Sequence, residues 1–135
     1  MVKNRTTPKV DADLNLLSNR VIAAALEVHR ALGPGLLEQI YESALCVELE
    51  LKQIQFERQA ENSLTYKGVR VGRGYADLLI DRRLVVEIKA SDALHDRHLA
   101  QTLSYLRATG YQLGLLLNFN VAVLRHGIRR VALTR

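Results

Sequence analysis

The chain has 135 residues, of which 48% are apolar and 24% charged, as expected for one soluble globular domain. Its single cysteine excludes an intrachain disulfide, and the absence of a long apolar run or a signal-peptide core predicts a cytoplasmic protein without a membrane partner. The net charge of +5 fits a polyanionic partner but does not require one, since many basic proteins merely have solvated surfaces.

The N-terminal segment predicts a short polar arm followed by a helix. Residues 1–12 form the predicted flexible arm, and residues 13–135 form a single domain. Asp13 can cap a helix whose apolar side chains recur at helical spacing until about Leu32, where a Gly-Pro pair stops it. His29 lies in the last turn, where its partial positive charge suits the helix dipole, so we expect a structural role for it.

A second helix is predicted from Leu36 or Leu37 to about Lys52. Its expected buried stripe consists of Ile40, Ala44, Val47 and Leu51. Glu38 lies three residues before Tyr41, so the two share a face that is offset from this stripe. An acid in a first turn can simply offset the helix dipole, or it can point at a cation, and helix periodicity does not choose between these roles.

Short strand-like segments follow the second helix. They are Ile54–Gln59, Ser63–Tyr66 and Val69–Val71, with a turn at Lys67-Gly68. Gly72 and Gly74 then permit a bulge or a tight bend. They do not form a phosphate-binding loop, because no lysine-serine pair and no helix follows them.

A β-hairpin is predicted within residues 75–90. Two short apolar runs, Ala76–Ile80 and Leu84–Ile88, flank three polar residues, a pattern that favours a hairpin over a broken helix. This hairpin is the stretch with the strongest indication of chemistry, because each of its apolar runs carries an acid.

The two acids of the hairpin indicate a cation site. If the turn centres on Arg82, Asp77 lies opposite Glu87, and Lys89 shares a face with both. Facing carboxylates repel, and a divalent cation between them reverses the sign of that interaction. A register one residue off would place the acids on opposite faces. An exposed hairpin with a Glu-x-Lys pair on its solvated face is the alternative.

A third helix is predicted from about Leu94 to Thr109, closed by Gly110 and capped from a loop at residues 90–92. Its expected core stripe is Leu99, Leu103 and Leu106, and a second stripe consists of His98, Gln101 and Tyr105. His95 and His98 are three residues apart on this helix. We discount a zinc site there, because no cysteine or third histidine stands at ligand spacing.

The C-terminal part predicts strands. Leu113–Phe119 is nearly continuously apolar, which is typical of a strand buried on both faces, and Val121–Leu133 fits a last edge strand or hairpin. The order of elements predicts an α/β fold with one mixed sheet whose faces are covered by helices. The helix before the buried strand predicts a crossover connection.

The chain resembles the GxxExxY protein family, whose name describes Gly35–Tyr41, the segment GLLEQIY. The resemblance runs from about Leu16 to Phe119. It also includes the segments His29–Gly35, Tyr66–Gly72, Ala76–Leu79, Val86–Lys89 and Gly114–Phe119. That family is placed in the PD-(D/E)XK nuclease superfamily, so the resemblance implies a restriction-endonuclease-like core, a mixed β-sheet flanked by helices.

The resemblance implies catalytic roles for several residues. Asp77 matches the first acid of the superfamily motif, although Ala76 replaces the proline of the name. Glu87 and Lys89 match the (D/E)XK element. Glu38 matches an acid that some branches contribute from the first core helix.

Two residues of the third helix complete the implied site. Gln101 and Tyr105 resemble the Gln-x3-Tyr element of exonuclease-like branches, and they would hold Lys89 or the nucleic-acid backbone. A polar rim on an amphipathic helix is the alternative. The arginines that could contact phosphate, or simply form a solvated face, are Arg70, Arg73, Arg82, Arg83 and Arg97.

The implied activity is that of a Mg²⁺- or Mn²⁺-dependent nuclease acting on DNA or RNA. The expected metal ligands are Asp77, Glu87, the backbone carbonyl of Ile88 and, directly or through water, Glu38. Lys89 would orient the attacking water or stabilise developing charge. Two alternatives stay open, a non-catalytic nucleic-acid-binding module and a protein-interaction module, and a homodimer could supply further binding surface.

Overall fold

A computed structural model of the chain describes residues 11–133. Within this range the helices are α1 (Ala12–Leu32), α2 (Glu38–Leu51) and α3 (Asp96–Thr109), with a 3-10 helix at Leu124–Gly127. The strands are β1 (Phe56–Tyr66), β2 (Val69–Ile80), β3 (Leu84–Lys89), β4 (Leu113–Asn118) and β5 (Ile128–Ala132). They form one sheet in the order β1-β2-β3-β4-β5, in which β3 and β4 are parallel and the other pairs antiparallel. The predicted mixed sheet is confirmed.

Helices cover both faces of this sheet. The larger apolar cluster lies between the sheet and α1–α2, and the smaller one lies between the sheet and α3. Helix α3 links the parallel strands β3 and β4, as the predicted crossover requires. None of the helices described between residues 11 and 133 is long and apolar enough to cross a membrane.

Helix α1 begins earlier than predicted. Asp11, not Asp13, is the N-cap, because its extended backbone lets the carboxylate accept the N–H of Leu14 at 2.8 Å. The same carboxylate pairs with Arg83 at 2.9 Å, and the Leu14 N–H is the main cause that lowers the pKa of Asp11. Residues 1–10 of the predicted arm lie outside the described residues.

The loop between α1 and α2 closes around one tyrosine. The Tyr41 hydroxyl donates to the Gly33 carbonyl at 2.5 Å and accepts the Leu36 N–H at 3.1 Å. Its ring is fully buried and stacks on Phe119, with 4.7 Å between the centroids. The loop is therefore fixed at both ends, and α2 starts at Glu38, slightly later than predicted.

The predicted buried stripe of α2 is wrong except for Ala44, which is partly buried against the larger cluster. Ile40, Val47 and Leu51 are 43%, 55% and 72% exposed. The stripe that packs on the sheet is Tyr41, Leu45, Cys46 and Leu49. Both stripes are apolar in sequence, and the anchoring of the Tyr41 ring decides which of them faces the core.

Strands β1 and β2 form one long hairpin instead of the three short segments predicted. The turn lies at Lys67-Gly68 as expected, where both residues have positive φ. The strands continue through polar sequence because their ladder of backbone hydrogen bonds holds them together outside the core. The register shifts after Leu64↔Gly72 and leaves Val71 without a partner, so a bulge lies there.

Helix α3 and strand β4 match most of their predictions. Helix α3 starts at Asp96 and ends at Gly110, which has φ 90°. His98 caps its start through Nδ1, which accepts the His95 N–H, so the loop at residues 90–92 does not cap the helix as predicted. Leu106 is fully buried, whereas Leu99 and Leu103 are half-buried. Strand β4 is buried along its whole length.

The C-terminal segment forms the 3-10 helix and one strand, β5, which pairs with β4 at an edge of the sheet. The ring of His29 on α1 contributes a hydrogen bond from Nε2 to the Val121 carbonyl, 2.8 Å long, just before this segment. His29 therefore has the structural role that its position in the last turn predicted.

Candidate active site

The β2–β3 hairpin has the register that its sequence predicts. The paired residues are Leu78↔Val86, Leu79↔Val85 and Ile80↔Leu84. The turn is centred on Arg82, and Asp77 and Glu87 are the next opposed positions. Asp81 and Arg82 have φ of 50° and 56°, so the turn follows the twist of the strands, as type I′ turns do.

The hairpin ladder ends where the acids begin. Beyond Leu78↔Val86 the two strands separate, and the Asp77 side chain takes the place of a backbone acceptor. Its Oδ2 accepts the Ile88 N–H at 2.8 Å, and its Oδ1 accepts from Gln59 at 3.3 Å. A carboxylate thus satisfies a β3 donor that the ladder leaves open.

The alternation of β2 also breaks at Asp77. Leu78 packs in the cluster under α1–α2, whereas Ala76, two residues earlier, packs in the cluster under α3. In a regular strand these residues would share a face. On the neighbouring strand Gln59 has φ 48°, between the pairs Arg58↔Leu78 and Ala60↔Ala76. Both strands therefore change the direction of their side chains at this point.

The prediction that Lys89 shares one face with both acids needs correction. Glu87 and Lys89 line a cavity of about 250 Å³ against α3. Asp77 instead lines an open pocket of about 690 Å³ beside α2, together with Glu38. The break in alternation is the reason, because the Asp77 side chain leaves the sheet face on which a regular strand would place it.

The two acids nevertheless interact directly. The pKa of Glu87 is raised to about 8, first by burial and then by the charge of Asp77, with the Lys89 ammonium opposing both. A hydrogen bond between the two carboxyl groups raises it further. Glu87, which lines the cavity, therefore keeps its proton near neutral pH, next to Asp77, which lines the pocket beside α2.

Glu38 approaches the end of β3 from α2. Its Oε1 accepts the Ala90 N–H at 3.2 Å, so carboxylates of Asp77 and Glu38 hold the backbone on either side of Lys89. Glu38 is exposed and stands at the first position of α2, where its charge also favours the helix dipole. The structure thus brings Glu38, Asp77 and the β3 terminus together.

The α3 wall of the cavity contains both residues of the Gln-x3-Tyr pattern, Gln101 and Tyr105. The Tyr105 hydroxyl accepts from Asn62 at 3.0 Å, and burial raises its pKa. Its ring lies against Gly74, where an added Cβ would be 2.7 Å from the ring. Tyr105 is held in place by Asn62 and Gly74, and Gln101 is exposed at the cavity edge.

A family model of the PD-(D/E)XK nuclease superfamily matches residues 15–131. This chain belongs to the PD-(D/E)XK nuclease superfamily. The comparison with curated proteins found no match, and the comparison with solved structures found none either. The mixed sheet with helices on both faces is consistent with the restriction-endonuclease-like fold, and membership implies a nucleic-acid substrate.

His98 is a further residue at the site of this PD-(D/E)XK chain, beyond those predicted from the sequence. His98 lines the cavity, and its Nδ1 accepts the His95 N–H at 3.1 Å, which leaves Nε2 to carry the proton of the neutral ring. Burial and then the charge of Lys89 lower its pKa. The signal was present in the sequence, because His98 begins the stripe that includes Gln101 and Tyr105.

The donor set suits a hard cation. No group of three His, Cys, Asp or Glu side chains in residues 11–133 is arranged as a complete metal cage. Mg²⁺, however, usually binds through one or two carboxylates and keeps several waters. The Asp77–Glu87 pair fits that mode, since a cation between the two carboxyl groups would take the place of the proton that Glu87 holds.

Proposed function

We propose that this chain is a metal-dependent nuclease that hydrolyses phosphodiester bonds of DNA or RNA. One observation carries the proposal, namely that Glu87 and Lys89 line one cavity of a PD-(D/E)XK chain while Asp77 is close enough for its charge to raise the pKa of Glu87. A buried acid pair is unfavourable unless a proton or a cation offsets its repulsion.

The residues that would hold Mg²⁺ or Mn²⁺ surround the end of β3. They are Asp77, Glu87, the backbone carbonyl of Ile88 and Glu38, which would leave the Ala90 N–H or act through water. When bound, such a cation neutralises charge on the scissile phosphate and lowers the pKa of water. The carboxylates must be deprotonated to bind it, so binding would release the proton held by Glu87.

The remaining side chains position the reactants. Lys89 lines the cavity together with Glu87, where its ammonium would orient the attacking water or stabilise negative charge on the phosphate. Gln101 contacts the nucleic-acid backbone at the cavity edge. Tyr105 keeps the shape of the wall, because its hydroxyl is already bound to Asn62.

Cleavage assays test this proposal. Purified protein with Mg²⁺ or Mn²⁺ should cut members of a panel of single- and double-stranded DNA and RNA. Asp77→Asn and Lys89→Ala should each reduce the rate by about 10²-fold or more. The matched control is Asp81→Asn, on the turn of the same hairpin, where Asn tolerates the positive φ and activity should persist. Activity that survives in both site variants contradicts the assignment.

Metal titration by calorimetry tests the cation itself. The wild type should show a Mg²⁺ or Mn²⁺ isotherm that Asp77→Asn lacks. The Asn side chain keeps an oxygen that can accept the Ile88 N–H, so the fold should be retained. An isotherm in neither protein, or an equal isotherm in both, would refute the metal site.

A non-catalytic nucleic-acid-binding module is the second candidate function. The observation in its favour is that Asp77 and Glu38 already serve as acceptors for two backbone N–H groups of β3 and its end. It predicts salt-dependent binding without cleavage under any metal. A protein-interaction module would bind neither nucleic acid nor metal.

We also infer that the chain is a member of the GxxExxY family. The three named residues have separate roles that explain their spacing. Gly35 has φ 103°, which favours glycine, Glu38 reaches the end of β3, and Tyr41 closes the loop between α1 and α2. An alignment in which these positions vary freely among related chains would contradict the inference.

A further inference from the structure

A groove lies between the outer half of the β1–β2 hairpin and helix α3. It measures about 650 Å³, and Leu64 and Val71 line its hairpin side. Arg97, Gln101 and Tyr105 line its α3 side. Gln101 and Tyr105 also line the cavity of the candidate active site, so the groove and the cavity are neighbours that share a wall.

The hairpin side of the groove is unusually apolar for an exposed surface. Val71 is 65% exposed, and Tyr66 and Val69 at the hairpin tip are exposed to a similar extent. Val71 is the extra residue of the bulge, which alters the regular alternation of side chains at this point of β2. We call Leu64 and Val71 the floor of the groove. Apolar side chains that are open to solvent in this way indicate a surface that another molecule covers.

The charges around this floor are positive. Arg97 lines the groove, and Lys67, outside its lining, lies over the Tyr66 ring at the hairpin tip, 5.4 Å from its centroid. No carboxylate belongs to the groove lining within the part of the chain that the structure describes. The groove therefore combines apolar lining side chains with the cation of Arg97, and a second cation, Lys67, lies at the hairpin tip.

We propose that this groove binds an unpaired nucleic-acid strand and leads it into the cavity. Bases stack on apolar and aromatic side chains when a strand is single, while cations contact its phosphates. A duplex keeps its base faces inside the stack and presents mainly phosphate and sugar, so it would leave Leu64 and Val71 uncovered. This inference rests on the proposed function, because it names the substrate class of the same site.

Binding without turnover tests the groove separately from the chemistry. Fluorescence anisotropy in EDTA would compare a labelled single strand of about 12 nucleotides with the duplex of the same sequence. The single strand should bind about tenfold more tightly. Val71→Asp should weaken its binding by about tenfold, because the carboxylate repels phosphate and makes the floor polar. Val47→Asp is the matched control, with an exposed valine on α2 across the sheet.

A second pair of variants tests the charge. Arg97→Ala should reduce the salt dependence of single-strand binding by about 0.7 in the log–log slope, as expected for one lost phosphate contact. Arg107→Ala, exposed on the same helix outside the groove, should leave the slope unchanged. Because Arg97 is exposed, this pair decides the question if Val71→Asp fails to fold.

The outcomes separate the two proposals. Three outcomes of the binding assays overturn the groove. They are equal or tighter binding of the duplex, no binding of either oligonucleotide, and wild-type affinity in both groove variants. If the wild type prefers single strands and Val71→Asp lacks this preference, the groove is supported, even if the protein cuts nothing. If Val71→Asp cuts single strands as fast as the wild type does, the groove is overturned and the nuclease is left intact.

Discussion

The two faces of the sheet differ most clearly along strand β3. Leu84, Val86 and Ile88 point toward α1–α2 and are fully buried in the larger cluster. On the other face Val85 is buried, but Glu87 and Lys89 line the cavity under α3. One strand therefore supplies the dry core on one side and the candidate chemistry on the other.

The difference arises from how the helices cover each face. Two helices seal the first face, whereas α3 alone covers the second, with Leu99 and Leu103 only half-buried. Glu87 can remain ionisable only where the covering layer leaves room for water or a cation. We infer that the α1–α2 face provides most of the stability and that the α3 face carries the function.

Truncation of matched leucines gives the largest expected effect on this comparison. Leu49→Ala, fully buried on α2, should lower the free energy of unfolding by about 2–5 kcal/mol. Leu103→Ala, half-buried on α3, should lower it by only about 1 kcal/mol, because less apolar surface leaves contact. Urea denaturation measures both. Equal losses would show that the two faces contribute alike.

The sequence predicts much of this fold because several signals are local. The turn centred on Arg82 follows from two short apolar runs around three polar residues, and it fixes the register of Asp77 and Glu87. The buried strand β4 follows from its continuous apolar run. The buried stripe of α2 does not follow, because the helix is apolar on two sides and only the contact of Tyr41 with Phe119 selects one.

The site is less predictable than the fold for a similar reason. The residue types and spacing of Asp77, Glu87 and Lys89 are visible in the sequence, but the break in alternation at Asp77 is not. It depends on the positive φ of Gln59 on the neighbouring strand and on the separation of β2 from β3. These are tertiary effects, which a strand period of two residues does not contain.

Glu87→Gln should give the next largest effect, with the opposite sign. The folded protein raises the pKa of Glu87 from 4.5 to about 8, so the native state holds the proton more tightly than the unfolded chain. The wild type therefore loses stability as the pH rises from about 4.5 through about 8. In EDTA at pH 8, Glu87→Gln should be more stable than the wild type by about 1–3 kcal/mol.

Thermal or urea unfolding across this pH range measures the effect. The stability gain of Glu87→Gln should shrink toward pH 5, where the wild-type carboxyl is protonated in the native state. Glu57→Gln, an exposed acid on β1, is the matched control and should show no such growing gain. A gain of equal size at every pH would show that burial of the charge is not its cause.

Removal of two tyrosine hydroxyls gives the smallest effect and compares the faces most directly. Tyr41→Phe leaves the Gly33 carbonyl and the Leu36 N–H without their partner, so unfolding should become easier by about 1–2 kcal/mol. Tyr105→Phe frees only the half-buried Asn62 amide, and it should cost about 0.5 kcal/mol.

Cleavage and single-strand binding should change more in Tyr105→Phe than in Tyr41→Phe, the reverse of the order expected for stability. Tyr105 lines both the cavity and the groove, so Tyr105→Phe should alter cleavage or single-strand binding several-fold, whereas Tyr41→Phe should leave both near wild type in the folded protein. Denaturation and anisotropy on the same samples give the two numbers. If Tyr105→Phe destabilises as much as Tyr41→Phe and leaves binding unchanged, the α3 face is a second structural core, and the proposed division between the faces fails.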